Sequence, residues 1–253
     1  MLKGWIMRNL KVCISYNGAA YHGFQRQNNA PSVQQTVEEA LSRLLGQSVT
    51  INGCSRTDTG VHAKEFYFNV KIENNIPCEG FIKGMNSLLP HDIAVHSCVE
   101  EDDDFHARYC SKGKEYIYIV NMAPVRDVFS GKLALHYQGT LDIEKMNRAA
   151  RLFVGEHDFA AFCKAEAKEH LKSTIRTVTH FSVSQDGNKA VFTVRGNGFL
   201  HNMVRIMVGS LIYISEGRRT EEDIISALET GDRESAGKTI PPEGLYLNKV
   251  FYD

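Results

Sequence analysis

The feature that most constrains the fold is an order of hydrophobic periodicities that occurs twice along the chain. Leu10, Val12, Ile14 and Tyr16 alternate with period two and stop at Asn17-Gly18, a strand running into a tight turn. Val33, Val37, Ala40, Leu41, Leu44 and Leu45 then share one helical face. Ser32 and Gln35 are spaced as a capping box at its start, and Gly46 is a stop signal. A short strand around 49–54 follows, then a strand carrying Phe66, Phe68, Val70 and Ile72 on one side. A helix over 81–89 and a strand over 93–99 complete a β-α-β-β-α-β series, the ferredoxin-like order.

After the acidic run Glu100–Asp104 the order returns. A long strand is predicted over 108–120, then a helix over 143–154 begun by Asp142 and ended by Gly155. Strands over 177–184 and 190–195 precede helices over 199–215 and 221–229, the second capped by Thr220, and a last strand spans 245–252. The expected class is α+β: two tandem ferredoxin-like domains with largely antiparallel sheets, 1–104 and 105–253.

Composition narrows the function classes. With 253 residues, 43% hydrophobic and 23% charged, the chain can bury a real core and is unlike a disordered one. A formal net charge of −1 excludes a uniformly basic partner of nucleic acid, but leaves room for a local basic groove. No apolar run approaches the ~18–20 residues of a membrane span, and the first eight residues lack a signal-peptide core, so the cytosol is expected. The six cysteines include no C-x-x-C pair, so neither a disulfide framework nor a zinc ribbon is expected. The ten histidines form no His-Glu-x-x-His motif, so no metal is expected.

Two motifs mislead. Gly231–Thr239 resembles a phosphate loop, but its spacing is one residue too long and it leads into Ile240-Pro241-Pro242, not into a helix. Asp58-Thr59-Gly60 is the tripeptide of aspartic proteases, which need two carboxylates sharing a proton. This chain has one copy, so a dimer would have to supply the other. The simplest structural reading of Asp58 is a hairpin turn, since Asp-x-Gly is common turn chemistry. Its company argues for more: Arg56 lies two residues before it and His62 four after.

Arg205 sits in Leu200–Gly209, a segment apolar nearly all round and therefore expected to be a buried helix. Its guanidinium must snorkel out or face a carboxylate, because an unpaired buried charge is costly. Asp58 is one candidate partner. Aromatic and basic residues interleave in Phe105-His106-Ala107-Arg108-Tyr109 and Lys112–Tyr118. Such a strand either packs its tyrosines against a helix or exposes them to stack on unpaired bases.

The segment Gly53–Ala63, with its core Arg56-Thr57-Asp58-Thr59-Gly60-Val61-His62, resembles the catalytic motif of the bacterial tRNA pseudouridine synthase I (TruA) family. Tyr16–Gly18 with Tyr21–Gln25, Asn86–Ile93, Phe105–Tyr109, Tyr116–Tyr118, Asn202–Arg205 and Gly244–Leu247 follow in the family's order. The resemblance covers essentially the whole chain. It implies the pseudouridine synthase fold, two ferredoxin-like domains sharing a sheet with the active site between them, working as a homodimer on one RNA. It implies a cofactor-free isomerisation of uridines at positions 38 to 40 of the tRNA anticodon arm. Asp58 would attack the nucleotide, at the sugar C1′ or the base C6. Tyr116 would pack against the target base, Arg205 would pair with the aspartate, Arg56 and Arg108 would contact RNA, and Leu245 would line the pocket.

The chain departs from the family pattern at Asn17 (usually Asp), Phe24 (usually Trp) and Ser55 (usually Gly), and Cys163–Lys172 does not align with the family's tRNA-contacting loop. These departures leave open a diverged synthase acting on ribosomal or another RNA. A non-catalytic RNA-binding protein and an aspartic protease are remoter alternatives. Charge is segregated along the chain: +4 over residues 1–26, +2 over 105–120 and +3 over 195–219, against −5 over 100–104 and −5 over 221–253. That pattern predicts a basic cleft on a neutral protein.

Overall fold

A computed structural model describes residues 7–165 and 171–253. The first six residues, part of the expected leaderless N-terminus, and five of the Cys163–Lys172 stretch lie outside the described residues. The chain divides into two compact units, Met1–Lys112 with Leu247–Asp253, and Gly113–Tyr246. The position 104/105 falls within the first unit, which also takes the last residues of the chain.

The first unit holds β1 (Arg8–Tyr16), α1 (Val33–Leu45), β2 (Asn52–Gly53), β3 (His62–Ile72), α2 (Cys78–Leu88) and β4 (Ile93–Glu101). β1 lies between β4 and β3, antiparallel to both, and β2 pairs with β3, the ferredoxin-like arrangement. Register places Leu10 opposite Val70, Val12 opposite Phe68 and Ile14 opposite Phe66. All six side chains are fully buried, together with Val33, Val37 and Leu41 of α1 and Phe81 and Met85 of α2. At about 1.5–3 kcal/mol for each large apolar side chain, this layer is the main cohesion of the unit. The opposite face is covered too, since Asn9, Cys13 and Asn69 are buried there.

The second unit holds β5 (Gly113–Asn121), β6 (Leu135–His136), α3 (Ile143–Ala150), β7 (Gly155–Asp158), β8 (Ile175–Asp186), β9 (Lys189–Gly196), α4 (Met203–Ser215) and α5 (Glu221–Thr230). The strand order is β5-β9-β8-β7, antiparallel, with β6 added parallel to β5. Asp186 pairs with Lys189 across the two-residue turn Gly187-Asn188, and Gly187 takes a φ of +55°. Phe153, Phe159, Phe162 and Phe192 are fully buried here. A final strand, β10 (Leu245–Phe251), lies beside β3 over its first-unit residues.

Several element boundaries differ from the sequence expectation. The strand expected from 108 begins at Gly113, because 106–110 is a turn in which the Tyr109 and Cys110 amides donate to the His106 carbonyl. The helix expected to reach 154 ends at Ala150 and tightens into a 3-10 turn, Arg151–Phe153. Gly155, at φ +127°, opens β7 and is no helix stop. Ser32 caps α1 by accepting from the Gln35 amide, but the Gln35 side chain reaches Glu39, so only half of the expected box forms. Thr220 and Asp223 form a complete one at α5.

Candidate active site

The loop between β2 and β3 carries Asp58, and its shape is imposed from outside. Gly60, at φ +78°, permits the turn in which the Val61 amide donates to the Asp58 carbonyl at 3.1 Å. The Thr57 carbonyl accepts from the Phe24 amide at 3.2 Å, and the Gly60 amide donates to the Tyr21 carbonyl at 3.2 Å. The Thr57 hydroxyl lies 2.8 Å from the buried Tyr16 hydroxyl. Asp58 itself is half-buried, with Arg56 exposed two residues before it.

This brings two distant sequence signatures together, the segment 16–25 and the segment 53–63. Their backbones meet so closely that side chains would not fit between them. A Cβ on Gly18 would stand 1.9 Å from the Val61 carbonyl oxygen, and one on Gly23 would stand 2.5 Å from that of Thr57. The buried His62 accepts the Gly18 amide on Nδ1 at 3.0 Å. That assignment leaves the ring proton for Nε2 if the imidazole is neutral. A third segment joins through Asp92, whose carbonyl accepts from the Asn17 amide and whose carboxylate accepts from the Tyr21 hydroxyl at 2.7 Å. Burial, and then the Asp92 carboxylate, hold the Tyr21 phenol well above its ordinary titration range.

Arg108 is exposed on the turn after β4, and the residue before it is fixed at both ends. The buried Asn69 carbonyl accepts the Ala107 amide at 3.0 Å, and the Tyr252 hydroxyl donates to the Ala107 carbonyl at 2.8 Å. Asn69 donates in turn to Asn9 at 3.0 Å, and Asn9 donates to the carbonyls of Asp102 and Phe105. The sequence reading missed this network. Its signal was two asparagines inside otherwise apolar strands, where an unpaired amide would be costly.

In the second unit Tyr116 is buried on β5, its ring set edge-on to Phe199 at 5.2 Å between centroids. Tyr118 is fully buried and donates to the Pro241 carbonyl at 2.8 Å. Of the two readings of this strand, packed tyrosines are the one found: Tyr116 and Tyr118 are buried, and Tyr109, on the turn, is exposed. Leu245, buried, opens β10 just after Gly244, where a Cβ would stand 2.6 Å from the Ile119 carbonyl oxygen.

Arg205 lies in the first turn of α4, not near the middle of a longer helix as expected. The helix starts late because Asn202 sits at φ +64°, a left-handed position that asparagine tolerates better than most residues. A cation at a helix N-terminus faces the positive end of the dipole. Here the guanidinium turns to acceptors: Nε donates to the Ile240 carbonyl at 2.7 Å and Nη1 to the Asn202 side chain at 2.9 Å.

The expected charge segregation is cancelled in part, at the start of the chain. Arg8 pairs with Glu100, Lys11 with Glu101 and Arg26 with Glu38, so the described cations of residues 1–26 are neutralised. Arg195 pairs with Glu115 and Arg218 with Glu216. Arg56 and Arg108 remain exposed. The departures at positions 17 and 24 are structural. Asn17 accepts the Ala19 amide as an aspartate would, and Phe24 is buried against Phe66 with ring centroids 4.1 Å apart. Among the described residues no cluster of three or more His, Cys, Asp or Glu side chains could hold a metal, and no helix is long and apolar enough to cross a membrane.

The fixed Asp58 loop is one part of a likeness that runs through the whole chain. Residues 12–110 and 149–253 match the family model described as tRNA pseudouridine synthase. The tRNA pseudouridine synthase A 2 of Clostridium perfringens is 41% identical over 246 residues, covering 97% of this chain and 100% of that protein. The tRNA pseudouridine synthases A of Ruminiclostridium cellulolyticum and Acetivibrio thermocellus are 40% and 41% identical, each over 97% of this chain and 100% of their own length. Both segments that build the Asp58 loop fall inside the matched residues 12–110, and the protein belongs to the tRNA pseudouridine synthase family, isomerases that convert uridine to pseudouridine.

Proposed function

We propose that this enzyme isomerises uridines 38 to 40 in the anticodon arm of tRNA, with Asp58 as the catalytic nucleophile and no cofactor. The observation that carries the reading is the placement of Asp58: a half-buried carboxylate on a loop pinned by Tyr16, Tyr21 and Phe24. Nucleophilic catalysis needs such a group ionised and held against thermal motion at the reacting atom. The carboxylate attacks the nucleotide, at C1′ or C6, as the N1–C1′ bond breaks. The freed base turns, C5 bonds to C1′, the bond to Asp58 breaks to return the free carboxylate, and N1 takes up a proton as C5 loses one, so no atom is gained or lost.

A uridine in a stacked arm must leave the stack to be reached. Tyr116 and Leu245 supply the surface that receives the base, and Tyr116 assists removal of the C5 proton. Arg205 serves as the cationic partner of the catalytic carboxylate, the role the family resemblance implies for it. The exposed Arg56 and Arg108 hold phosphates. On this reading residues 1–104 carry the nucleophile, and the protein acts in the cytosol as a homodimer with one RNA touching both subunits.

The test is pseudouridine mapping of RNA from cells lacking the protein, with and without complementation. Pseudouridine should vanish at tRNA positions 38 to 40 and return with the wild type, but not with Asp58→Ala. A missing site in ribosomal RNA would replace tRNA as the substrate. If no site is missing, the isomerase reading of the cellular role fails. Restoration by Asp58→Ala would remove Asp58 from the chemistry. Sedimentation at twice the chain mass is expected, and a monomer at working concentration would overturn the homodimer.

A further inference from the structure

We infer that Cys78 and Cys98 form a reversible oxidative modification site, closing to a disulfide when the enzyme meets a peroxide. Their sulfurs lie 3.4 Å apart, with the Cys98 thiol directed at Cys78 Sγ. A disulfide bond of about 2.05 Å therefore needs a further approach of little more than 1 Å, within reach of small side-chain rotations. The six cysteines are all free thiols.

The two thiols differ in a way that assigns their roles. Cys78 is the first residue of α2, after Pro77, and is partly accessible. Cys98 is buried on β4, and burial followed by its bond to Cys78 holds its thiol far above the ordinary range. The accessible sulfur is thus the one a peroxide reaches first, and the buried one resolves it. Arg8 stands beside the pair and lowers the cost of negative charge on Cys98; its guanidinium is held by Glu100 and by the carbonyls of Asn74 and Ile76.

The step balances. Hydrogen peroxide oxidises Cys78 to a sulfenic acid and releases one water. Cys98 Sγ then attacks the Cys78 sulfur, the S–OH bond breaks, and the hydroxyl leaves as a second water with the Cys98 proton. Two thiols lose two electrons and two protons to one peroxide. The bond would tie the N-terminal end of α2 to β4, eight residues before Asn86 makes the second tie. That tie exists already: the Asn86 side chain bonds both the amide and the carbonyl of Val95.

The sequence makes the test clean, because trypsin cuts at Lys83, between the two cysteines. Treat the full-length native protein with stoichiometric hydrogen peroxide, block free thiols with iodoacetamide, and digest without reduction. The expected product is peptide 72–83 joined to peptide 84–108, lighter by two hydrogens than their sum and released by dithiothreitol. The other four cysteines should remain alkylated. Cys78 found as a sulfinic acid with Cys98 still alkylated would overturn the proposal, and so would a bond from either to another cysteine. Cys98→Ser should divert Cys78 to sulfenic and sulfinic acids. If that variant keeps Cys78 unoxidised at the same dose, Cys78 is not the residue that meets the peroxide.

Discussion

The hydroxyls of Tyr16 and Thr57 stand 2.8 Å apart, both side chains buried, one at the end of β1 and the other beside Asp58 in sequence. This bond couples the central strand of the first sheet to the loop that bears Asp58, the proposed nucleophile. Positioning that depends on a strand is more exact than positioning by a free loop.

Tyr16→Phe should therefore reduce turnover more than substrate affinity. Removing one hydroxyl of a buried pair costs about 1 kcal/mol of stability, too little to unfold the protein. A loosened Asp58 should show as a lower kcat with KM little changed, measured on a tRNA anticodon-arm substrate. Equal losses of folding and activity would mean that the bond serves stability alone.

Asn69→Ala should be among the most damaging changes far from the chemistry. It orphans the buried Ala107 amide and removes the donor to Asn9, a cost of about 2–4 kcal/mol. Urea unfolding should show the loss. RNA affinity should fall as well, because Arg108 follows Ala107 directly. Retained affinity in folded protein would separate Arg108 from this network.

Glycine substitutions should fall into two classes. A Cβ on Gly209 would stand 2.0 Å from the Lys238 carbonyl oxygen, and one on Gly237 2.4 Å from the Ser210 amide nitrogen. Here the phosphate-loop lookalike runs backbone-to-backbone against α4, and the Gly237 amide donates to the Ser210 hydroxyl. Gly209→Ala should cost about 1–3 kcal/mol or more, since neither backbone can yield cheaply. Gly46 caps α1 at φ +70° with open space around it, so Gly46→Ala should cost only about 1 kcal/mol of backbone strain. Thermal melts of the two variants check the ranking.

Stability should fall on the alkaline side. Burial pushes the Cys13 thiol from 9.0 up to about 11, and the Tyr246 phenol from 10.0 up to about 12. Burial likewise raises the phenols of Tyr118 and Tyr252. These groups are neutral when folded and ionise sooner when unfolded, so their contribution is whole below about pH 9 and is lost as pH rises through the folded values. Between the two pKa values each group removes up to about 1.4 kcal/mol per pH unit. Urea midpoints at pH 8 and pH 10.5 should differ clearly, and equal midpoints would contradict the assignment.

The legible part of this protein was its periodic part. Leu10, Val12 and Ile14 could be read as one strand face because side chains alternate regardless of what covers them, and their partners Phe68, Phe66 and Val70 follow the same rule. Asp58 was singled out by its company, Arg56 and His62, and its role is the one proposed above. Boundaries were less so: Asn202 and Gly155 carry positive φ for reasons that lie in packing, and Arg108 left its expected strand because Asn69 and Tyr252 claim Ala107.

By itself, the sequence determined the order of elements, the α+β class and the residue types that carry chemistry, since these follow from local periodicity and from single side chains. Tertiary structure decided what neighbours those residues keep. The run of positive charge over residues 1–26 became Arg8–Glu100, Lys11–Glu101 and Arg26–Glu38, and two cysteines twenty residues apart became a pair at 3.4 Å. Electrostatic and covalent chemistry depend on distance in space, and separation along the chain does not set that distance until the sheet register does.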